Sequence, residues 1–168
     1  MCSSDLACEA HRRRGGPWAL TYALGSNGVP TLRIEHSRIL PDGPVTIAFP
    51  GETSPRSDLP ITAIFSVPIT NRMPFGPVLF VDTSSLPGTV ALACFGHVVE
   101  MVSRTLFVDL HEVPWTSGTN IVADPGNKPS AEKLAVRSQD WMTHQATRRQ
   151  PRRPLQSGTT NASPAGTR

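Results

Sequence analysis

Apolar and polar positions alternate across Thr31–His36, with Leu32 and Ile34 on one face and Arg33 and Glu35 on the other. A period of two predicts a half-buried strand. The apolar stretch Trp18–Leu24 lies just upstream, and Gly25-Ser26-Asn27-Gly28 separates the two. Glycine and asparagine tolerate positive φ, so the pair reads as a β-hairpin with a somewhat long loop. Pro41-Asp42-Gly43-Pro44 marks another turn, and Val45–Phe49 follows as a third strand. Residues 50–58 are polar and broken by Gly51 and Pro55, the mark of a loop. Ile61–Ile69 is apolar and β-branched, and Pro68 near its end suits an edge strand or a strand terminus. Val78-Leu79-Phe80-Val81 is an unbroken apolar run that stops at Asp82, the pattern of a strand covered on both faces.

The proline-free stretch 88–113 supports two readings. As a helix over residues 89–102, Val90, Cys94, Val98 and Met101 form one apolar stripe, Thr89 caps it, and Glu100 pairs with Arg104 at i,i+4. As two strands, its β-branched content fits equally well and Gly96 becomes a bend. The helix is the reading carried forward. Thr105–Leu110 is a strand in either case, and its Leu106-Phe107-Val108-Asp109 echoes Leu79-Phe80-Val81-Asp82. Strand, helix and strand in about 30 residues have the size of a βαβ unit. The expected fold is therefore a strand-rich α+β class: short strands in one sheet or a sandwich-like core, with one central helix near 89–102. A small α/β fragment built on the βαβ unit is the alternative.

Domain organisation follows from where the pattern fades. Residues 17–115 hold the β-rich core. Residues 116–129 read as loop. Residues 130–149 lack proline and glycine and can form a helix capped by Ser130, although its apolar face, with Leu134, Trp141 and Met142, is thin. Residues 150–168 offer no core-forming pattern and are expected to be a disordered basic tail. Residues 1–16 read as a leader and basic linker. Met1-Cys2-Ser3-Ser4-Asp5-Leu6 resembles a translated sequencing adapter, which implies a non-native start and a parent protein truncated at its N-terminus.

Composition sharpens this outline. Hydrophobic residues make up 38% and charged residues 17%, so there is material for one core and little of the charge that keeps chains unfolded. Proline is abundant at 17 residues. The net charge of +3 comes from the ends: Arg12–Arg14 at one, Arg148, Arg149, Arg152 and Arg153 at the other. The middle is mildly acidic. The basic ends carry no interleaved aromatic residues, so nucleic acid is not an expected partner. Of the three cysteines, Cys94 sits in an apolar run as a small core residue, and no Cys-x-x-Cys zinc pair exists. A cytoplasmic, reducing compartment is compatible. No run of 18 apolar residues suggests a membrane span.

Candidate chemistry gathers at the ends of the two echoing strands. If these are parallel neighbours, Asp82 and Asp109 emerge at one sheet edge, where open α/β sheets bind ligands. On an extended strand Asp109 and His111 project to one face, and a carboxylate with an imidazole can hold a divalent metal. Asp82, Asp109 and His111 are thus the candidate metal ligands. The triplet Asp109-Leu110-His111 after an apolar strand resembles the first motif of calcineurin-like metallophosphoesterases. The resemblance implies that Asp109 and His111 belong to a two-metal centre activating water against a phosphate ester. It covers three residues and their strand. The later Gly-Asp element is not matched, and Gly126-Asn127 runs into Lys128-Pro129 instead of a histidine. His97, three residues before Glu100, is a further possible ligand on the helical reading. Gly-x-Ser-x-Gly and phosphate-loop motifs are absent.

Three functional expectations follow. The first is a non-catalytic structural or ligand-binding fragment of a larger protein, without cofactor, whose partner is the rest of its parent. The second is a metal-dependent hydrolase fragment requiring a divalent metal. The third is a spurious reading frame with no function.

Overall fold

A computed structural model of the chain describes residues 15–69 and 72–149; the expected leader, save for Gly15 and Gly16, and the expected basic tail lie outside these residues. The alternating segment and its upstream neighbour form the expected hairpin. β1 (Ala19–Leu24) and β2 (Pro30–Glu35) pair antiparallel, with Leu20 opposite Ile34 and Tyr22 opposite Leu32. β3 (Val45–Ala48) adds antiparallel to β2, and β4 (Ile61–Ile64) adds to the free side of β1 as an edge strand. β11 (Asn120–Val122) returns from far along the chain to pair parallel with β3. The first sheet therefore runs β11-β3-β2-β1-β4.

The second sheet is an antiparallel meander: β5 (Arg72–Met73), β6 (Gly76–Asp82), β7 (Thr89–Cys94), β8 (His97–Met101), β9 (Leu106–Val108) and β10 (His111–Val113) lie in chain order. The inner faces of the two sheets share one core. Leu20, Tyr22, Leu32, Ile34 and Ile47 from the first meet Val90, Leu92, Val99, Met101 and Leu106 from the second. Trp18, fully buried, stacks on Trp115 at 4.8 Å and donates its Nε1–H to the Gly88 carbonyl, tying the start of β1 to the loop before β7. The strand-rich α+β fold with one helix is what the structure shows.

The helix is in a different place from the one expected. Residues 89–102 are the β7–β8 hairpin, closed by Phe95 (φ 54°) and Gly96 (φ 85°). Positive φ at both central residues is the two-residue turn whose twist matches paired strands. The stripe Val90, Cys94, Val98 and Met101 splits between faces: Val90, Cys94 and Met101 enter the inter-sheet core, while Val98 faces the other side. Both faces are covered, so alternation is lost and the apolar run imitates a helical period. Glu100 pairs with Arg137 instead of Arg104. The βαβ alternative fails for the same reason. β6 and β9 are separated by two antiparallel strands, so they run in opposite directions.

The one α-helix among the described residues, α1 (Ala131–Arg149), begins after Ser130, whose Oγ accepts from the Lys133 N–H. Ser130 thus caps the helix as its sequence position suggested. α1 lies on the outer face of the second sheet: Trp141 packs on Ala91 and Val98, with Phe80, Leu79 and Leu134 around them. The folded unit therefore continues past Trp115, through β11 and α1.

Candidate functional site

α1 has few apolar residues to bury, so polar contacts share the work of seating it. Arg137 reaches across to Glu100, whose side chain is 3% exposed. Its Nε donates to Glu100 Oε2 at 2.9 Å and its Nη2 to both carboxylate oxygens at 2.8 Å. The guanidinium also lies over the Phe107 ring, 5.1 Å from its centroid. One turn further on, Trp141 stacks on Phe80 at 5.7 Å with the rings 18° apart. Its indole Nε1–H is buried and finds no acceptor among the described residues. Removing one partner of a buried ion pair leaves the other charge uncompensated. Arg137→Ala should therefore cost about 2 kcal/mol, a figure reduced for the partial exposure of the arginine. Amide exchange should show α1 losing protection while β1–β3 keep theirs. Equal loss in both would mean that the pair does not hold the helix.

Between α1 and the sheet lies a cleft of about 250 Å³. Its floor carries Asp82, the last residue of β6, and Thr89, the first of β7, which face each other across the ladder. Val81 and Val90 turn into the core, so period-two alternation sends Asp82 and Thr89 toward α1. Asp82 is 6% exposed. Its Oδ1 accepts from the Ser84 N–H at 2.9 Å, and Oδ2 makes no hydrogen bond among the described residues. Thr105, His144 and Gln145 also line the cleft, and none has a side-chain partner among the described residues. Arg148 closes one side, with its Nη1 3.4 Å from Ser85 Oγ. A wider groove of about 510 Å³ continues along α1 and shares Phe107 and Arg137 with the cleft.

The structure does not bring the three residues singled out by sequence together. Asp82 lies at the end of the second sheet that carries Thr89 and Met101. Asp109 lies at the opposite end, beside His97 and Cys94. The echoing strands run in opposite directions, so their acidic ends leave the sheet at opposite edges. His111 is exposed on β10. It does not share a face with Asp109 because the strand ends at Val108. Asp109 (φ 52°) and Leu110 (φ 67°) form a two-residue turn, across which Val108 pairs with His111. Among the described residues, no three histidine, cysteine, aspartate or glutamate side chains are grouped so as to hold a metal ion.

Asp109 has other work. Its Oδ2 lies 2.8 Å from His97 Nδ1, and its Oδ1 accepts from the Val98 N–H at 2.9 Å. His97 is fully buried and its Nε2 has no partner among the described residues. Cys94 stands opposite His97 across the hairpin turn. Burial, and then the nearby Asp109 carboxylate, push the Cys94 thiol up to about 12. A thiol so raised and so enclosed is a poor nucleophile. The sequence contained these residues, but the 12-position gap between His97 and Asp109 became readable only once the hairpin was known.

No helix among the described residues is long and apolar enough to cross a membrane. Compared with known proteins, the chain matches no family model, no curated protein and no solved structure.

Proposed function

We propose that this chain is a non-catalytic ligand-binding β-sandwich module that takes a small polar molecule in the cleft beneath α1. The observation that carries this reading is Asp82: a residue only 6% exposed, at the floor of a cleft, with one carboxylate oxygen that makes no hydrogen bond among the described residues. Oδ2 is an acceptor that the protein leaves open, and a ligand donor there would gain a charge-assisted hydrogen bond at a place largely shielded from water. Concave sites with a few convergent polar groups among apolar walls are the usual form of small-molecule sites.

Two features weigh against chemistry at this place. Glu100, the other carboxylate of the cleft, has both oxygens engaged by Arg137, so it is not poised as an acid or base. The His97–Asp109 pair lies at the far end of the sheet, enclosed. The expectation of a meaningless reading frame also has an observation against it. Every inward position of β1, β2 and β3 is apolar: Leu20 and Tyr22, Leu32 and Ile34, Val45 and Ile47. A frame under no requirement to fold has no reason to keep that register.

The test is thermal melting of the full chain against a collection of small polar compounds. A ligand of the native state raises Tm in a saturable way. At least one compound should do so, and Asp82→Asn should abolish the shift while preserving a cooperative melt. No saturable shift, or a shift indifferent to Asp82→Asn, would remove the cleft as the binding site.

A further inference from the structure

We infer that the ligand is a neutral, polyhydroxylated ring or short chain of such rings, a saccharide in chemical class; this rests on the cleft being the binding site. The charges of the cleft nearly cancel. Glu100 and Arg137 neutralise each other through three hydrogen bonds. That leaves Asp82 on the floor and Arg148 at the side, one of each sign. A ligand with net charge gains at one of these and loses at the other, so neutrality is the better match.

The groups left without partners are of mixed character. Asp82 Oδ2 accepts only. The Thr89 and Thr105 hydroxyls and the Gln145 amide both donate and accept. A hydroxyl group satisfies each of them with a single atom, because it too donates and accepts. Spacing supports the same class. Asp82 and Thr89 are direct cross-strand partners, and such partners have Cβ atoms roughly 4.5–5.5 Å apart. Two acceptor-capable groups side by side at that distance match hydroxyls on neighbouring carbons. At about 250 Å³ the cleft is smaller than a drug-sized site, which usually spans roughly 300–1,000 Å³. It therefore has room for a compact ring, and the groove that continues past Phe107 and Arg137 gives a second ring somewhere to lie.

The experiment titrates the full chain by calorimetry and thermal melting with three probe sets: neutral mono- and disaccharides, zwitterionic amino acids, and inorganic phosphate. Asp82→Asn and Thr89→Val are measured alongside, with His111→Ala at the far end of the sheet as a control. The expected result is saturable binding of at least one saccharide, weakened about tenfold or more by each cleft variant and unchanged in His111→Ala. Asn at 82 retains an acceptor for Ser84 N–H and Val at 89 retains the shape of threonine, so both variants should melt cooperatively. Should Asp82-dependent binding appear for an amino acid or phosphate and not for saccharides, the ligand class is wrong and the cleft stands. Should no probe bind, or should binding be the same in all variants, both the class and the cleft fall.

Discussion

Asp109→Ala should lower the stability of this protein by about 3 kcal/mol or more, the range for removing one member of a buried polar pair. Three bonds converge on this residue. Its backbone N–H donates to the Val98 carbonyl at 2.8 Å, Oδ1 accepts from the Val98 N–H, and Oδ2 meets His97 Nδ1. The turn residue thereby completes the edge of β8 beyond the point where β9 ends. Without its carboxylate, the Val98 N–H loses its acceptor inside the protein. The His97 ring, whose Nε2 is already unpaired among the described residues, would be buried with neither nitrogen bonded to them. Alanine also fits poorly at φ 52°, a left-handed conformation that costs an ordinary residue about 1–2 kcal/mol. Asp109→Asn separates these effects. Asparagine accepts the left-handed conformation and can still receive the Val98 N–H, so it should lose less. Urea denaturation, with the midpoint falling and the slope unchanged, is the measurement. If alanine and asparagine were equally mild, the brace assigned to Asp109 would be wrong.

How much of this was legible follows from which faces meet water. The first sheet has a core on one side, so β2 alternates and the β1–β2 hairpin can be read directly, its Gly25–Gly28 loop included. The second sheet is covered on both sides, by the first sheet and by α1. Its strands have lost the polar beat, and β7–β8 read as a helix. Turn chemistry did not rescue the reading. Phe95 and Leu110 occupy positive-φ positions where glycine or asparagine would have announced a turn. The second of these mattered most for the site. With Asp109 and Leu110 read as extended, Asp109 and His111 fell on one face; as a turn, they do not. Asp82 was legible as a strand end. Its surroundings were not, because they come from α1, whose apolar face is too thin to show what it packs against. The pairing of Arg137 with Glu100 spans 37 positions and leaves no local trace.

Gly76→Ala should be similarly damaging, at about 3–5 kcal/mol, the range of severe core disruption. Gly76 opens β6 and is buried. A Cβ there would overlap the Ala93 carbonyl oxygen and press on its carbon at 3.0 Å. Both atoms belong to the backbone of the neighbouring strand, so no side chain can rotate aside. Relief requires β6 to part from β7 or the preceding turn to shift. Moving the turn disturbs Phe75, which packs on Phe95 at 4.9 Å and edge-on to Tyr22 at 5.1 Å, and whose carbonyl accepts from the Phe95 N–H. The cost therefore reaches both sheets. Gly118→Ala provides the comparison: φ is 74° and nothing lies within 4 Å of the added atom, so only the left-handed strain of about 1–2 kcal/mol applies. A difference of about 2 kcal/mol between the two variants in urea midpoint times slope is expected. Equal losses would show that β6 does not approach β7 this closely at Gly76.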